Sequence, residues 1–432
     1  MLKKRVYYDK AIKVEALSIV DQIADYIIDQ HRDGTHNPES FSDILLFTAE
    51  LLPYVEKKDR WIDLGYSLCG ELKNNMECYG YHYRTAMLGG LGYQCFAVNE
   101  FCREANILRM FANSMNKLLF LVTENRLNQI KNHPTHDSNY DMVSGISGIL
   151  YYLLDCTYDE KEKETIIKCI EYLLEFTEDT VYNDKHIIKF HILRPNQNSN
   201  FDQEDFKDGS INFGLAHGML GPLVALAKAY AKGFVIDGLE QGIAKMYHLY
   251  ETFQVPNEEN VPCWPGIITV EEYWKGACRP DHLHTTSSWC YGKVGTLRAL
   301  QKVTRYMNWK ERENTHVEAM KRFLNQEINW YNLSSPSLCH GFSSIVAIQT
   351  CAYSVYNDPG LLTNLERNVK QIILGYRRSN THEVSLIDIH ERKVRIEGYL
   401  KDLSFLTGST GVAATLLGLR GTMKTGKLLM ID

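Results

Sequence analysis

The sequence predicts an all-α protein in which inner and outer helices alternate, one pair to each repeated unit. Three observations predict it. Small-residue turns recur six times along the 432 residues, each opens an apolar run with the period of a helix, and the stretches between are amphipathic.

The turns are Gly89-Gly90-Leu91-Gly92, Gly145-Ile146-Ser147-Gly148, Gly218-Met219-Leu220-Gly221, Gly292-Lys293-Val294-Gly295, Gly341-Phe342-Ser343-Ser344 and Gly408-Ser409-Thr410-Gly411. Only the fifth replaces its second glycine, with Ser344. Intervals of 49 to 74 residues between first glycines are too irregular for a strict solenoid but suit helical pairs joined by variable loops. After Gly218, the residues Leu220, Leu223, Val224 and Ala227 line one helix face, and residues 149–154, 297–303, 345–352 and 412–419 are similar apolar runs. Amphipathic stretches at 16–30, 107–122, 161–176, 239–253 and 314–331 supply the outer helices. Glycine at a helix start lets two backbones, or a backbone and a ligand, approach closely. If the inner helices start at one end of a closed ring, their positive ends converge there and favour a thiolate or another anion.

Some segments depart from the helical pattern. Residues 185–193 and 383–397 are rich in Ile, Val and His with partial alternation, and residues 255–285 carry four prolines and three Trp or Tyr residues. They read as excursions with short strands or ordered loops. The last leads straight into the fourth turn and is placed to cover an active site.

Composition narrows the function. With 44% hydrophobic and 23% charged residues the chain is an ordinary globular protein, and a net charge of −6 provides no basic stripe for nucleic acid or anionic membrane. The polar, basic residues 1–13 precede no apolar signal core, and no run of eighteen uncharged apolar residues occurs, so a cytoplasmic protein is expected. Eleven cysteines, an odd number without a framework, point to reduced thiols, mostly buried, with a few available as ligands.

Chemistry concentrates at three turns, which read Ala216-His217-Gly218, Trp289-Cys290-Tyr291-Gly292 and Leu338-Cys339-His340-Gly341. A ring of repeats brings Cys290, Cys339 and His340 to neighbouring corners of one rim. Two thiolates and an imidazole suit Zn²⁺ and leave its fourth position open, as in a catalytic site. The same residues also suit small buried cysteines at tight helix contacts and a hydrogen-bonded core histidine. With no CxxC pair present, spacing alone leaves both readings open.

Together these motifs, on a series of glycine-turn units, resemble the lanthionine synthetase C-like family, the lantibiotic cyclases. The resemblance runs from about residue 89 to residue 421, with residues 1–80 matching only as a helical lead-in. It implies one α/α-toroid domain over residues 1–432, with inserted loops near 181–212, 255–285 and 377–400. It also implies one zinc ion per chain, held by Cys290, Cys339 and His340, and cyclisation of a dehydrated precursor peptide through lanthionine and methyllanthionine thioethers. A dehydratase and an exporter are the implied partners, which would put the protein in a biosynthetic complex near the membrane.

Elementary chemistry agrees with that activity. A free cysteine thiol has a pKa of about 8.5, and coordination to zinc deprotonates it for attack on the β-carbon of dehydroalanine or dehydrobutyrine. The resulting enolate needs a proton at the α-carbon, for which histidine is the natural donor. His217 occupies the family's histidine position, as general acid or enolate stabiliser. Asp141 matches the family's aspartate and would orient His217 and raise its pKa, although an aspartate there equally suits a helix N-cap. Tyr291 follows the zinc cysteine, its hydroxyl within reach of substrate or ligand, with aromatic packing as the alternative.

Thr286 breaks the pattern. The family commonly carries an arginine four residues before the first zinc cysteine, and threonine supplies no cation. Arg279 has the wrong spacing to take over. His282 and His284 read as polar rim residues, Lys57, Lys58, Asp59, Arg60 and Lys310 as a solvated face, and most of the 26 tyrosines as packing residues. The competing function is a non-catalytic toroid that binds glutathione, another thiol or a precursor peptide. A glycosidase or terpene cyclase would need paired carboxylates or an aspartate cluster at the turns, and none occurs there.

Overall fold

A computed structural model of the chain describes residues 9–80, 85–197, 206–257, 260–381, 384–387, 393–396, 399–421 and 423–432. Among the described residues, fourteen helices of eight residues or more alternate between two concentric rings. The inner ring holds α2 (Phe41–Leu51), α4 (Leu91–Ala105), α6 (Ile146–Leu153), α8 (Leu220–Ala231), α10 (Lys293–Tyr306), α12 (Phe342–Tyr356) and α14 (Ser409–Gly418). The outer ring holds α1 (Lys10–Arg32), α3 (Asp59–Tyr79), α5 (Arg109–Ile130), α7 (Glu160–Glu175), α9 (Leu239–Thr252), α11 (Lys310–Leu324) and α13 (Leu365–Thr381). This is an α/α toroid.

Burial sorts the rings. Every residue of α2 and of α14 is buried, as a helix enclosed on all sides must be. In α7 the buried set is Thr165, Ile166, Cys169, Ile170, Tyr172 and Leu173, a one-sided stripe facing inward, and Asp159 with Glu162 forms a capping box at its start. Inner neighbours pack side by side from α6 through α8, α10, α12 and α14 to α2 and α4. The expected outer helix at 314–331 is shorter, because the chain leaves α11 at Asn325 and folds back to stack Tyr331 on Phe323, ring centroids 5.0 Å apart.

Six glycine turns suggested six inner helices, but the ring has seven. The extra one is α2, within the segment read as a lead-in. It has no glycine turn because a carboxylate joins it to its neighbours: Asp43 Oδ1 accepts the Phe405 N–H at 2.7 Å and the Tyr93 hydroxyl at 2.6 Å. Glu50, further along α2, accepts both the N–H and the hydroxyl of Thr425, at 2.7 and 2.8 Å. The end of the ring opposite the glycine turns is filled by the C-terminal segment, whose turn Lys424–Leu429 touches α2, α4, α6 and α12. There Lys302 donates to Asp432 Oδ1 at 2.6 Å, and Lys228 donates to Asp155 at 2.9 Å. One end of the toroid is therefore closed, and the turn end is left for chemistry.

Burial pushes the Asp43 and Glu50 carboxyls up to about 7, against the hydrogen bonds that favour their ionised forms. A carboxyl raised in the folded state contributes stability that is full below its unfolded pKa of about 4 and is lost as pH rises through about 7. Thermal unfolding of wild type should therefore fall between pH 5.5 and 8.5, values chosen to bracket that about 7, and an Asp43→Asn, Glu50→Gln variant should show a flatter profile. Parallel profiles would refute the assignment.

Short antiparallel pairs decorate the rings. β1 (Asp179–Tyr182) and β2 (Lys185–Ile188) form a hairpin whose two turn residues, Asn183 and Asp184, both have positive φ, as the tightest hairpin turn requires. β3 (Ser210–Asn212) pairs with the strand Ile267–Thr269, and Val384–Ile387 pairs with Lys393–Ile396. The rest of the 383–397 reading lies largely outside the described residues. Lys57, Lys58, Asp59, Arg60 and Lys310 are exposed, as expected of a solvated face.

Candidate active site

Each glycine turn is a loop that doubles back on the helix it opens. A Cβ on Gly292 would come within 1.9 Å of the Ser288 nitrogen, and one on Gly295 within 2.0 Å of the Trp289 oxygen. Only glycine allows the loop carrying Cys290 to lie so close against the first turn of α10. Neighbouring turns are hydrogen-bonded: the Leu215 and Ala216 N–H groups donate to the Cys290 carbonyl at 2.9 and 3.1 Å, Met142 donates to Ala216, and Leu338 and Cys339 donate to Leu406. A rim of fixed backbone results, and the side chains between the glycines are presented on it.

Cys290 and Cys339 meet on this rim as free thiols. The hydrogen bond from Cys339 lowers the Cys290 thiol to about 7 against the cost of burial, helped by the Ser288 hydroxyl at 3.5 Å and by His217. The same contact, with burial, pushes Cys339 up. The pair thus gives up its first proton near neutrality and holds the second. His340 is half-buried on the same turn as Cys339. Among the described residues no three His, Cys, Asp or Glu side chains converge as a ligand cluster, so the structure unites the two predicted thiols without closing His340 onto them. The donor set itself, two adjoining soft sulfurs with an imidazole next in sequence, fits zinc.

On the adjacent turn, His217 Nδ1 donates to Asp141 Oδ2 at 2.7 Å. Asp141 is fully buried and its other oxygen accepts the Ser144 and Gly145 N–H groups at 2.6 and 2.7 Å. Asp141 is not the N-cap of α6, which is Gly145; one of its oxygens braces the turn ahead of that helix and the other aims the imidazole. That hydrogen bond assigns the proton to Nδ1 in the neutral ring and leaves Nε2 for chemistry. Burial works against a charged His217, but Asp141's hydrogen bond and charge, with Asp137 and Cys290, outweigh it and the histidine is raised. Asp141 is also raised, by burial, against its hydrogen bond to His217. Both shifts say that the pair retains its proton to higher pH. With 32% of its side chain exposed, His217 remains reachable.

Tyr291 lies between two histidines, its ring centroid 6.3 Å from that of His217 and 5.3 Å from that of His284. Asn212 Nδ2 donates to its hydroxyl at 2.9 Å, and a Cβ on Gly214 would strike its ring at 2.5 Å. Burial pushes the phenol well above its usual range, so it serves as a hydrogen-bonding group and not a base.

Comparison with known proteins gives this arrangement a lineage. The family model described as "Lanthionine synthetase C-like protein" matches residues 44–428. The chain belongs to that family. It is 26% identical to the nisin biosynthesis protein NisC of Lactococcus lactis subsp. lactis over 242 residues, an alignment spanning 55% of this chain and 56% of that protein. The solved structure of nisin cyclase shares the fold, with a TM-score of 0.80, 19% identity and coverage of 96% of this chain and 98% of that one.

Thr286 stands where the family resemblance implied an arginine. The Thr286 hydroxyl lies 3.2 Å from His284 Nδ1, and His284 stacks on Tyr291. Of the two histidines read as rim residues, His282 pairs with Glu272 at 2.8 Å, whereas His284 is packed against the site. Arg279 is taken up by His282, Glu272 and Asp281 on the outside, consistent with no role at the rim. Asn212 and His284 were missed because they reach Tyr291 from the paired strands and the long loop, which only the tertiary fold brings to the fourth turn.

Proposed function

We propose that this chain is a zinc-dependent cyclase that adds the cysteine thiols of a dehydrated precursor peptide to its dehydroalanine and dehydrobutyrine residues, forming lanthionine and methyllanthionine rings. The observation that carries this reading is the meeting of the Cys290–Cys339 pair with the His217–Asp141 pair on adjoining turns of one rim. Cys290, Cys339 and His340 would hold one zinc ion, whose Lewis acidity would make the substrate thiol a thiolate at neutral pH.

The chain's own residues do the rest. The rim backbone fixes the two sulfurs, and the Cys339 thiol, raised by its contact with Cys290 and by burial, would release its proton to solvent on binding a metal. His217, oriented through Nδ1, presents Nε2 with a proton for the α-carbon once the C–S bond has formed. Tyr291, held by Asn212, offers a hydroxyl within the same corner. No net redox change or leaving group is needed, because addition and protonation together are an isomerisation. A dehydratase supplying the peptide, an exporter removing the product and a cytoplasmic setting complete the proposal. No helix among the described residues is long and apolar enough to cross a membrane.

Metal removal tests the zinc part. Purified protein should carry about one zinc per chain, lose thiol-consuming activity on chelation, and regain it with zinc. Activity that survives complete chelation would refute the metal. Thr286, which lacks the family's cation, favours the alternative of a toroid that binds a thiol peptide without cyclising it.

A further inference from the structure

Three lysines are buried among the described residues, Lys228, Lys293 and Lys302. Lys228 and Lys302 have carboxylate partners, Asp155 at 2.9 Å and Asp432 at 2.6 Å. Lys293 is only 8% exposed, yet among the described residues it forms no ion pair with a carboxylate. Its position makes this costlier, because it is the first residue of α10, directly after Cys290-Tyr291-Gly292, where the helix dipole is already positive. A cation with no carboxylate partner among the described residues, set at a helix N-terminus, has its charge opposed by the dipole and left free for an anion.

Its neighbours do not relieve it. His284, wedged between the Tyr291 ring and Gly266, whose missing Cβ makes room for it, is pushed down to about 4 by burial and by the Lys293 charge, and so is neutral at pH 7. Cys263, raised by burial, feels the same charge. What collects beside the fourth turn is a helix end, a lysine and a neutral imidazole held through Thr286, with no carboxylate paired to the lysine among the described residues.

We propose that Lys293, backed by the N-terminus of α10 and by His284, is an oxyanion-binding residue that holds the enolate oxygen of the substrate, doing the work for which Thr286 has no charge. This rests on the cyclase reading. When the substrate sulfur bonds to the β-carbon, the carbon–carbon π pair moves to the α-carbon and its carbonyl oxygen. The developing negative oxygen is the missing counter-ion, and it disappears when the α-carbon takes its proton.

The test uses Lys293→Met and Lys293→Arg in the full chain. Because the methionine breaks no ion pair with a carboxylate among the described residues and removes a charge that opposes the helix dipole, Lys293→Met should unfold at the same or a higher temperature than wild type. It should keep its affinity for the dehydrated peptide while kcat falls by about 10²–10³, and Lys293→Arg should recover most of the rate. Wild-type turnover in Lys293→Met would overturn the proposal, as would a loss confined to KM. A binding measurement separates it from the cyclase reading. The probe is a short peptide carrying a nitroalkane, whose nitronate form mimics an enolate. Wild type should prefer the nitronate over the neutral peptide by at least about tenfold, and Lys293→Met should not. If that preference is found in a protein that consumes no thiols, the oxyanion corner stands and the cyclase reading falls. If wild type shows no preference, the inference is wrong whatever the turnover.

Discussion

Cys339→Ala protein should purify folded, with most of its zinc gone and cyclisation slowed by about 10²–10³, measured by metal analysis and by the rate of thiol loss from a dehydrated peptide. The size follows from ionisation and placement together. An unactivated thiol near its pKa of about 8.5 is only a few per cent thiolate at pH 7, and a thiol no longer held at the rim also loses the advantage of fixed position. Folding should survive because the residue is small and half-buried, and the N–H through which it is stitched to Leu406 is kept by alanine. Cys290→Ala should behave alike. Full zinc occupancy in either variant would remove the cysteine pair from the metal site.

His217→Ala should keep its zinc and cyclise more slowly by about 10²–10⁴, the usual worth of a general acid. A pH profile distinguishes chemistry from support. Since Asp141 raises His217 above the ordinary 6.5, the alkaline limb of kcat/KM should lie above that value, the acid being lost as pH rises through the histidine's pKa. Asp141→Asn keeps the bulk but withdraws the charge, so the limb should move toward lower pH. An unshifted limb, or zinc loss in His217→Ala, would make His217 a structural residue.

The parts of this site that could be read from the sequence are those with local signatures. Cys290, Cys339 and His217 each sit beside a glycine whose spacing repeats along the chain, and the close backbone packing at Gly292 and Gly295 explains why that spacing is so visible. Asp141 was legible for the same reason, standing just before a turn that it braces. The seventh inner helix was not, because α2 joins the ring through one buried carboxylate, Asp43, and leaves no repeating residue type behind. Asn212, His284 and Lys293 were hidden for another reason. An asparagine at a strand end, a histidine in a loop and a lysine at a helix start are ordinary alone, and acquire meaning only when the β3 pairing and the loop from 255 to 285 fold over Tyr291.

A cyclase makes free thiols disappear. Zinc-loaded wild type is incubated with a cognate peptide that carries both dehydrated residues and free cysteines. Residual thiols are then alkylated, and the adducts counted by mass spectrometry. Cyclisation predicts that adducts are lost progressively while the unalkylated peptide keeps its mass, because the addition is an isomerisation. Complete alkylation throughout, by peptide that the zinc-loaded protein demonstrably binds, would contradict the cyclase and leave a thiol-binding toroid in its place.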